Sequence, residues 1–272
     1  NFYLNISIFL NPKFKYNLSL LAANYYEIKN YRKVEKILKK FNNNDGIYYW
    51  YKLKKKAQIL KNEKGEDQSF NFINSKAKKI KNPSTKVLFD MGNIMKSFKK
   101  YKLSIDYYNK VISKIDLKSE SYADVLYRRG GSYERLKKYK KSDQDLLKSL
   151  KIVPDDAYVL NYLAYSWLER DYKIDTAIEM LEEAYKQEQN DPYIIDSIGW
   201  AYYLINDFLK AEKFIKRAVE LMPYDPIVND HYGDILWMLD RKIQAKYYWK
   251  SVLSFKDVQE SMKKNINIKL LK

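Results

Sequence analysis

Small residues return every 34 or 35 positions through the second half of the chain, as Gly130, Ala164, Gly199 and Gly233. A second small residue follows each at a nearly constant offset: Ser142, Ala177, Ala211 and Ala245. Pro154 and Pro223 close two of the units marked in this way, and Pro192 and Pro226 open the units that follow. No other feature constrains the fold as much. A repeat of this length is one supersecondary unit that buries its apolar face only by stacking on its neighbours. Function is therefore expected on a long shared surface rather than in a catalytic pocket.

Within one unit the spacing has a physical cause. Ile195, Ile198, Tyr202 and Ile205 recur at three- and four-residue steps, which places them on one face of a first helix. Gly199 falls where two antiparallel helices approach closely, and Ala211 and Ala218 give the second helix the same freedom. The turn Ile205-Asn206-Asp207 separates the two helices, and Pro223 stops the second because it has no N–H to donate. This 34-residue period and its pattern resemble the tetratricopeptide repeat (TPR). The resemblance implies an all-α fold, a right-handed superhelical α-solenoid of antiparallel helix pairs.

Extended along the chain, the register gives one solenoid over residues 1–272. Regular units occupy 85–255, starting near Thr85, Ala123, Ala157, Pro192 and Pro226, with four extra residues around Ser119–Tyr122 and one near Asp171. Residues 256–272 are expected to form a C-terminal capping helix. Residues 1–84 read as irregular, basic helical repeats, with Ala22 and Val34 at small positions. Asn1–Leu10 is expected to be the second helix of a half-repeat, and Lys61–Ser69 a long inter-helix loop. The chain opens with Asn rather than Met, which leads us to expect a fragment or a processed product.

Only 7 Gly and 6 Pro leave little material for long loops or sheets. No apolar run reaches the roughly 18–20 residues needed to span a bilayer. With no cysteine in the sequence, disulfides, thiol catalysis, cysteine metal sites and a lipid-attachment cysteine within it are excluded. The net charge of +17 is unevenly placed: residues 1–120 hold 26 Lys and Arg against 10 Asp and Glu, and residues 121–272 hold 25 against 24. One reading is a positive arm for an acidic protein, a membrane surface or nucleic acid. The other is compositional drift, since 44 Lys stand against 7 Arg and arginine is the residue suited to planar phosphate recognition.

Catalytic motifs are missing. His231 is the single histidine, between Asp230 and Asp234; a general base or half a metal site is one reading, a structural or groove-lining role the other. Arg128–Leu136 contains adjacent glycines, but no Gly-Lys-Ser/Thr follows to make a phosphate loop. No catalytic residue, cofactor or metal is expected.

In a TPR superhelix the first helices line the concave side, and the second, fifth, ninth and twelfth places of each unit point into it. By that resemblance the groove is lined by Tyr158, Asn161, Tyr165 and Leu168, then Tyr193, Asp196, Trp200 and Tyr203, then Ile227, Asp230, Asp234 and Trp237. Aromatic rings interleaved with Asp and Asn suit a peptide, because Tyr and Trp supply contact area with few torsions to freeze. Packing between units is the alternative use of the same rings. Three carboxylates in the groove favour a partner with basic or hydrogen-bond-donating groups. The carboxylate clamp of chaperone-binding TPR domains is incomplete: Asn93 and Arg128 fall at suitable places, but Phe89 replaces the lysine, and Tyr162 and Ser197 occupy the later places.

Three segments are more specific than the repeat: Asn161–Trp167 (NYLAYSW), Asp196–Tyr203 (DSIGWAYY) and Asn229–Trp237 (NDHYGDILW). They resemble the C-terminal region of long TPR proteins typical of alphaproteobacteria, and a related group of outer-membrane TPR lipoproteins that are adaptors for carboxyl-terminal processing proteases. The resemblance implies a non-enzymatic scaffold or adaptor of the periplasm or envelope, with a protease or cell-wall enzyme as partner. The alternatives are a cytoplasmic location, and a basic solenoid that meets an anionic polymer or a membrane surface peripherally. Nucleic acid is not the expected partner.

Overall fold

The computed structural model describes residues 1–256 and 258–271. Among them are sixteen α-helices and no strand. The chain divides into two compact units, Asn1–Lys114 and Ile115–Lys272.

Unit 1 contains α1 (Phe2–Leu10), α2 (Lys15–Glu27), α3 (Tyr31–Leu38), α4 (Ile47–Lys64), α5 (Glu66–Ala77), α6 (Thr85–Ser97) and α7 (Tyr101–Ile112). Helices α2 to α7 pack as three successive pairs. Helix α1 lies against α2, with Leu4 and Ile8 turned onto the core and Phe2, Tyr3, Phe9 and Leu10 exposed. The core is split into a cluster around Leu18, Val34, Leu38 and Phe41 and another around Trp50, Ile73, Met91 and Met95. The expected loop at Lys61–Ser69 is instead helical except at Gly65, whose φ of 89° ends α4 and starts α5. Its polar residues stabilise helix termini: Glu66 and Asp67 sit in the first turn of α5, and Lys61 pairs with Glu66 at 2.6 Å.

Unit 2 contains α8 (Glu120–Arg135), α9 (Tyr139–Ile152), α10 (Ala157–Leu168), α11 (Ile174–Gln187), α12 (Pro192–Leu204), α13 (Phe208–Leu221), α14 (Pro226–Met238), α15 (Lys242–Ser254) and α16 (Glu260–Leu270). Helices α8 to α15 form four pairs and α16 packs on α15. A long core cluster runs through the unit from Leu146 to Ile266, with smaller ones around Ala157, Leu160 and Ile194 and around Ile195, Ala218 and Val228. The four extra residues before Ala123 lengthen α8 at its start, where Ser119 caps it. The extra residue near Asp171 is taken up in the turn, where both Asp171 and Lys173 have positive φ.

The repeated sequence features have repeated structural consequences. Asp156, Asp191 and Asp225 each cap a first helix, accepting from two backbone N–H groups. Pro192 and Pro226 occupy the first turn, where a missing N–H costs nothing. A Cβ added at Gly199 would lie 2.6 Å from Ile215 Cγ1, so only glycine permits this approach of α12 and α13. Gly92, one unit before Gly130, meets Tyr108 in the same way.

Candidate functional site: the inner face of unit 2

The first helices α10, α12 and α14 lie side by side, and the residues expected to line the groove divide into three groups. Tyr158, Tyr193 and Ile227, one at the start of each helix, are exposed; Tyr193 keeps 62% of its surface. They form a rim of large apolar groups open to contact. Leu168 is buried in the core. The remaining residues, polar or aromatic and buried or half-buried, make up the floor.

In that floor, two rings stack on Trp200. Tyr203 stacks on it at a centroid distance of 4.6 Å and His231 at 4.0 Å, both within 14° of parallel. Tyr203 and Trp200 share α12 at a three-residue spacing, and His231 arrives from α14. His231 Nδ1 lies 2.9 Å from Asp196 Oδ1, and both residues are buried. Burial pulls the imidazole toward its neutral form. The charge and hydrogen bond of Asp196, with Asp230 and Asp234 nearby, outweigh that and raise its pKa above 6.5. His231 and Asp196 therefore form a buried charge-assisted pair linking α12 to α14.

Asp230 and Asp234 meet a lysine of this same chain. Lys269 Nζ, on α16, lies 2.6 Å from Asp230 and 2.7 Å from Asp234, and 5.7 Å from the centre of the Trp249 ring. Asp234 nevertheless has a raised pKa, because burial and the charge of Asp230 exceed the opposing effects of Lys269 and His231. Trp237 tilts against Trp249 at 5.4 Å and carries the ammoniums of Lys242 and Lys246 over its ring. On α10, Tyr165 is pushed to higher pKa by burial and then by the charges of Glu169 and Asp196. Asn161 Oδ1 is buried and accepts no hydrogen bond from the described residues.

The structure therefore joins Asp196, Trp200 and Tyr203 through His231, and Asp230 to Asp234 through Lys269. It leaves Tyr158 and Tyr193 as separate exposed groups. Lys269 was missed in the sequence, although it stands 35 residues after Asp234, one repeat further on. The partner of Asp196 follows it by the same 35 residues. Among the described residues no group of three His, Asp or Glu is placed to hold a metal ion, and no helix is long and apolar enough to cross a membrane.

Residues 123–156 match the tetratricopeptide repeat family model. A TPR repeat-containing protein of Pseudomonas aeruginosa is 31% identical over 111 residues, covering 41% of this chain and 19% of that protein. Anaphase-promoting complex subunit 3 of Schizosaccharomyces pombe is 21% identical over 109 residues, 40% of this chain and 15% of that protein. The chain thus spans less than a fifth of either curated relative. Among solved structures, a thermophilic TPR protein of Thermus thermophilus superposes with a TM-score of 0.59 at 14% identity, over 70% of this chain and all of that one. MamA from Desulfovibrio magneticus gives 0.52 at 18% identity, over 65% of this chain and 97% of that one. The architecture is all-α, built of antiparallel helix pairs as in TPR solenoids.

Proposed function

We propose that this chain is a non-enzymatic protein-binding scaffold whose inner face in unit 2 receives an extended segment of a partner protein. One observation carries the reading: three exposed apolar groups, Tyr158, Tyr193 and Ile227, recur at one repeat spacing beside a floor whose rings and carboxylates are fixed in place. A pre-organised floor lowers the ordering cost of binding, and the rim supplies apolar area. Basic groups on the partner segment suit the carboxylates, in competition with Lys269.

The test is chemical crosslinking of the purified chain in bacterial extract, alongside a Tyr158→Ser, Tyr193→Ser variant. Both positions are exposed, so the variant keeps its fold. A discrete protein crosslinked to α10 or α12 and lost with the variant, at low and high salt alike, supports the groove. Capture that ignores the variant and disappears in salt supports the second reading, an anionic polymer or membrane surface meeting unit 1, where 25 Lys and Arg face only 8 Asp and Glu. We propose further that the partner is a processing protease or cell-wall enzyme of the cell envelope. This is carried by the resemblance of Asn161–Trp167, Asp196–Tyr203 and Asn229–Trp237, and tested by fractionating cells that express the tagged protein.

A further inference from the structure

The first helices of unit 1 enclose a cleft of about 310 Å³. Its walls come from Tyr16 and Ser19 on α2, Ile47 to Lys54 on α4, and Lys86 and Asp90 on α6. That volume is at the small end of the roughly 300–1,000 Å³ typical of ligand clefts, enough for one large side chain and a neighbouring polar group.

Each wall is pinned. Asp90, buried to 8% of its surface, accepts from Trp50 Nε1 at 2.8 Å, Lys54 Nζ at 2.7 Å and Lys86 Nζ at 2.7 Å. The Tyr51 hydroxyl donates to the Ser19 carbonyl at 2.8 Å, and Tyr48 stacks on Phe41 at 5.9 Å. Tyr16 and Ile47 stand exposed. Asp90 therefore draws two ammoniums together over an aromatic wall and spends its own charge on them. An ammonium has three donors, and one from each lysine is given to Asp90. The donors that remain, and the one excess positive charge, suit a second carboxylate. A phosphate is less well served, because Asp90 lies between the lysines and no guanidinium takes part.

We propose that this cleft is a second recognition site, for a partner segment in which an acidic side chain lies beside a large apolar one. The carboxylate bridges Lys54 and Lys86, and the apolar side chain lies among Tyr16, Ile47, Tyr48 and Trp50. The site is independent of the inner face of unit 2 and opposite to it in charge preference.

The probe is a fluorescein-labelled heptapeptide of alternating Asp and Leu, titrated with the full chain and followed by anisotropy at about 0.15 M salt. Two controls are the same peptide with Asn for Asp and a labelled single-stranded oligodeoxythymidine. The expected result is saturable binding, about tenfold weaker for the Asn peptide and for Lys54→Met, Lys86→Met, as loss of charge-assisted hydrogen bonds requires. Removing the lysines also strips Asp90 of two partners and strains the fold around it, so Tyr16→Ser and Ile47→Ser, at exposed positions, provide a second arm. Both are expected to weaken the Asp-Leu peptide severalfold with helicity unchanged. Equal affinity for the Asp and Asn peptides, or indifference to the Tyr16 and Ile47 changes, overturns the proposal. So does oligodeoxythymidine binding more tightly than the peptide with the same variant sensitivity, which reassigns the cleft to nucleic acid.

Discussion

Ser142 occupies the small position that Ala177, Ala211 and Ala245 fill in the following units, and all four are fully buried. Its hydroxyl has no hydrogen-bond partner among the described residues. Ser142→Ala is therefore expected to stabilise the protein by about 1 kcal/mol, since an unmade buried hydrogen bond is removed and a better helix former is gained. A lower melting temperature in the variant would contradict this. At Gly199 the sign reverses: alanine there drives a methyl into Ile215 and should cost roughly 1–3 kcal/mol by denaturant unfolding. His231 adds a pH dependence. Its folded pKa is raised, so its stabilising contribution is complete below 6.5 and is lost as pH rises through the folded value. Asp234 is also raised, from 3.8, so its own contribution is complete below that value and is lost as pH rises through its folded value. The denaturation midpoint should fall as pH rises above about 6.5, with His231→Gln flattening that slope. An unchanged slope in the variant would assign the dependence to other groups.

At the scale of helices, the capping aspartates show what a local pattern specifies. Asp191 accepts from the N–H groups of Tyr193 and Ile194 at 2.9 and 3.1 Å, so Asp191→Ala should lower stability by about 1 kcal/mol, measured by thermal unfolding. The helix pairs of residues 85–255 were legible because their constraints are local and recur: a small residue at each crossing, and a capping serine or aspartate, twice with a proline, at the start of each first helix. Lys61–Ser69 misled because its charged residues look like a loop, yet in the first turn of α5 acidic groups favour a helix and Gly65 alone makes the break. In the candidate site, the register picks out positions on α10, α12 and α14 but does not separate those that stay exposed, such as Tyr158 and Tyr193, from those that are buried, such as Leu168 and Asp196. Their partners were not legible, because His231 and Lys269 bond across a whole repeat. Lys269 also belongs to α16, which lacks the repeat's small positions.

For the molecule as a whole, charge separates the two units more sharply than fold does. Unit 1 holds 25 basic against 8 acidic residues and unit 2 holds 26 against 26, so the entire net charge of +17 belongs to unit 1. Attraction of anionic surfaces and recognition by the inner face of unit 2 should accordingly respond differently to salt. The most direct measurement is hydrogen–deuterium exchange of the full chain with and without the partner identified by crosslinking. The scaffold account predicts added protection at the starts of α10, α12 and α14, around Tyr158, Tyr193 and Ile227, unchanged at high salt. Protection confined to the second helices α11, α13 and α15, or to unit 1 and abolished by salt, would contradict it.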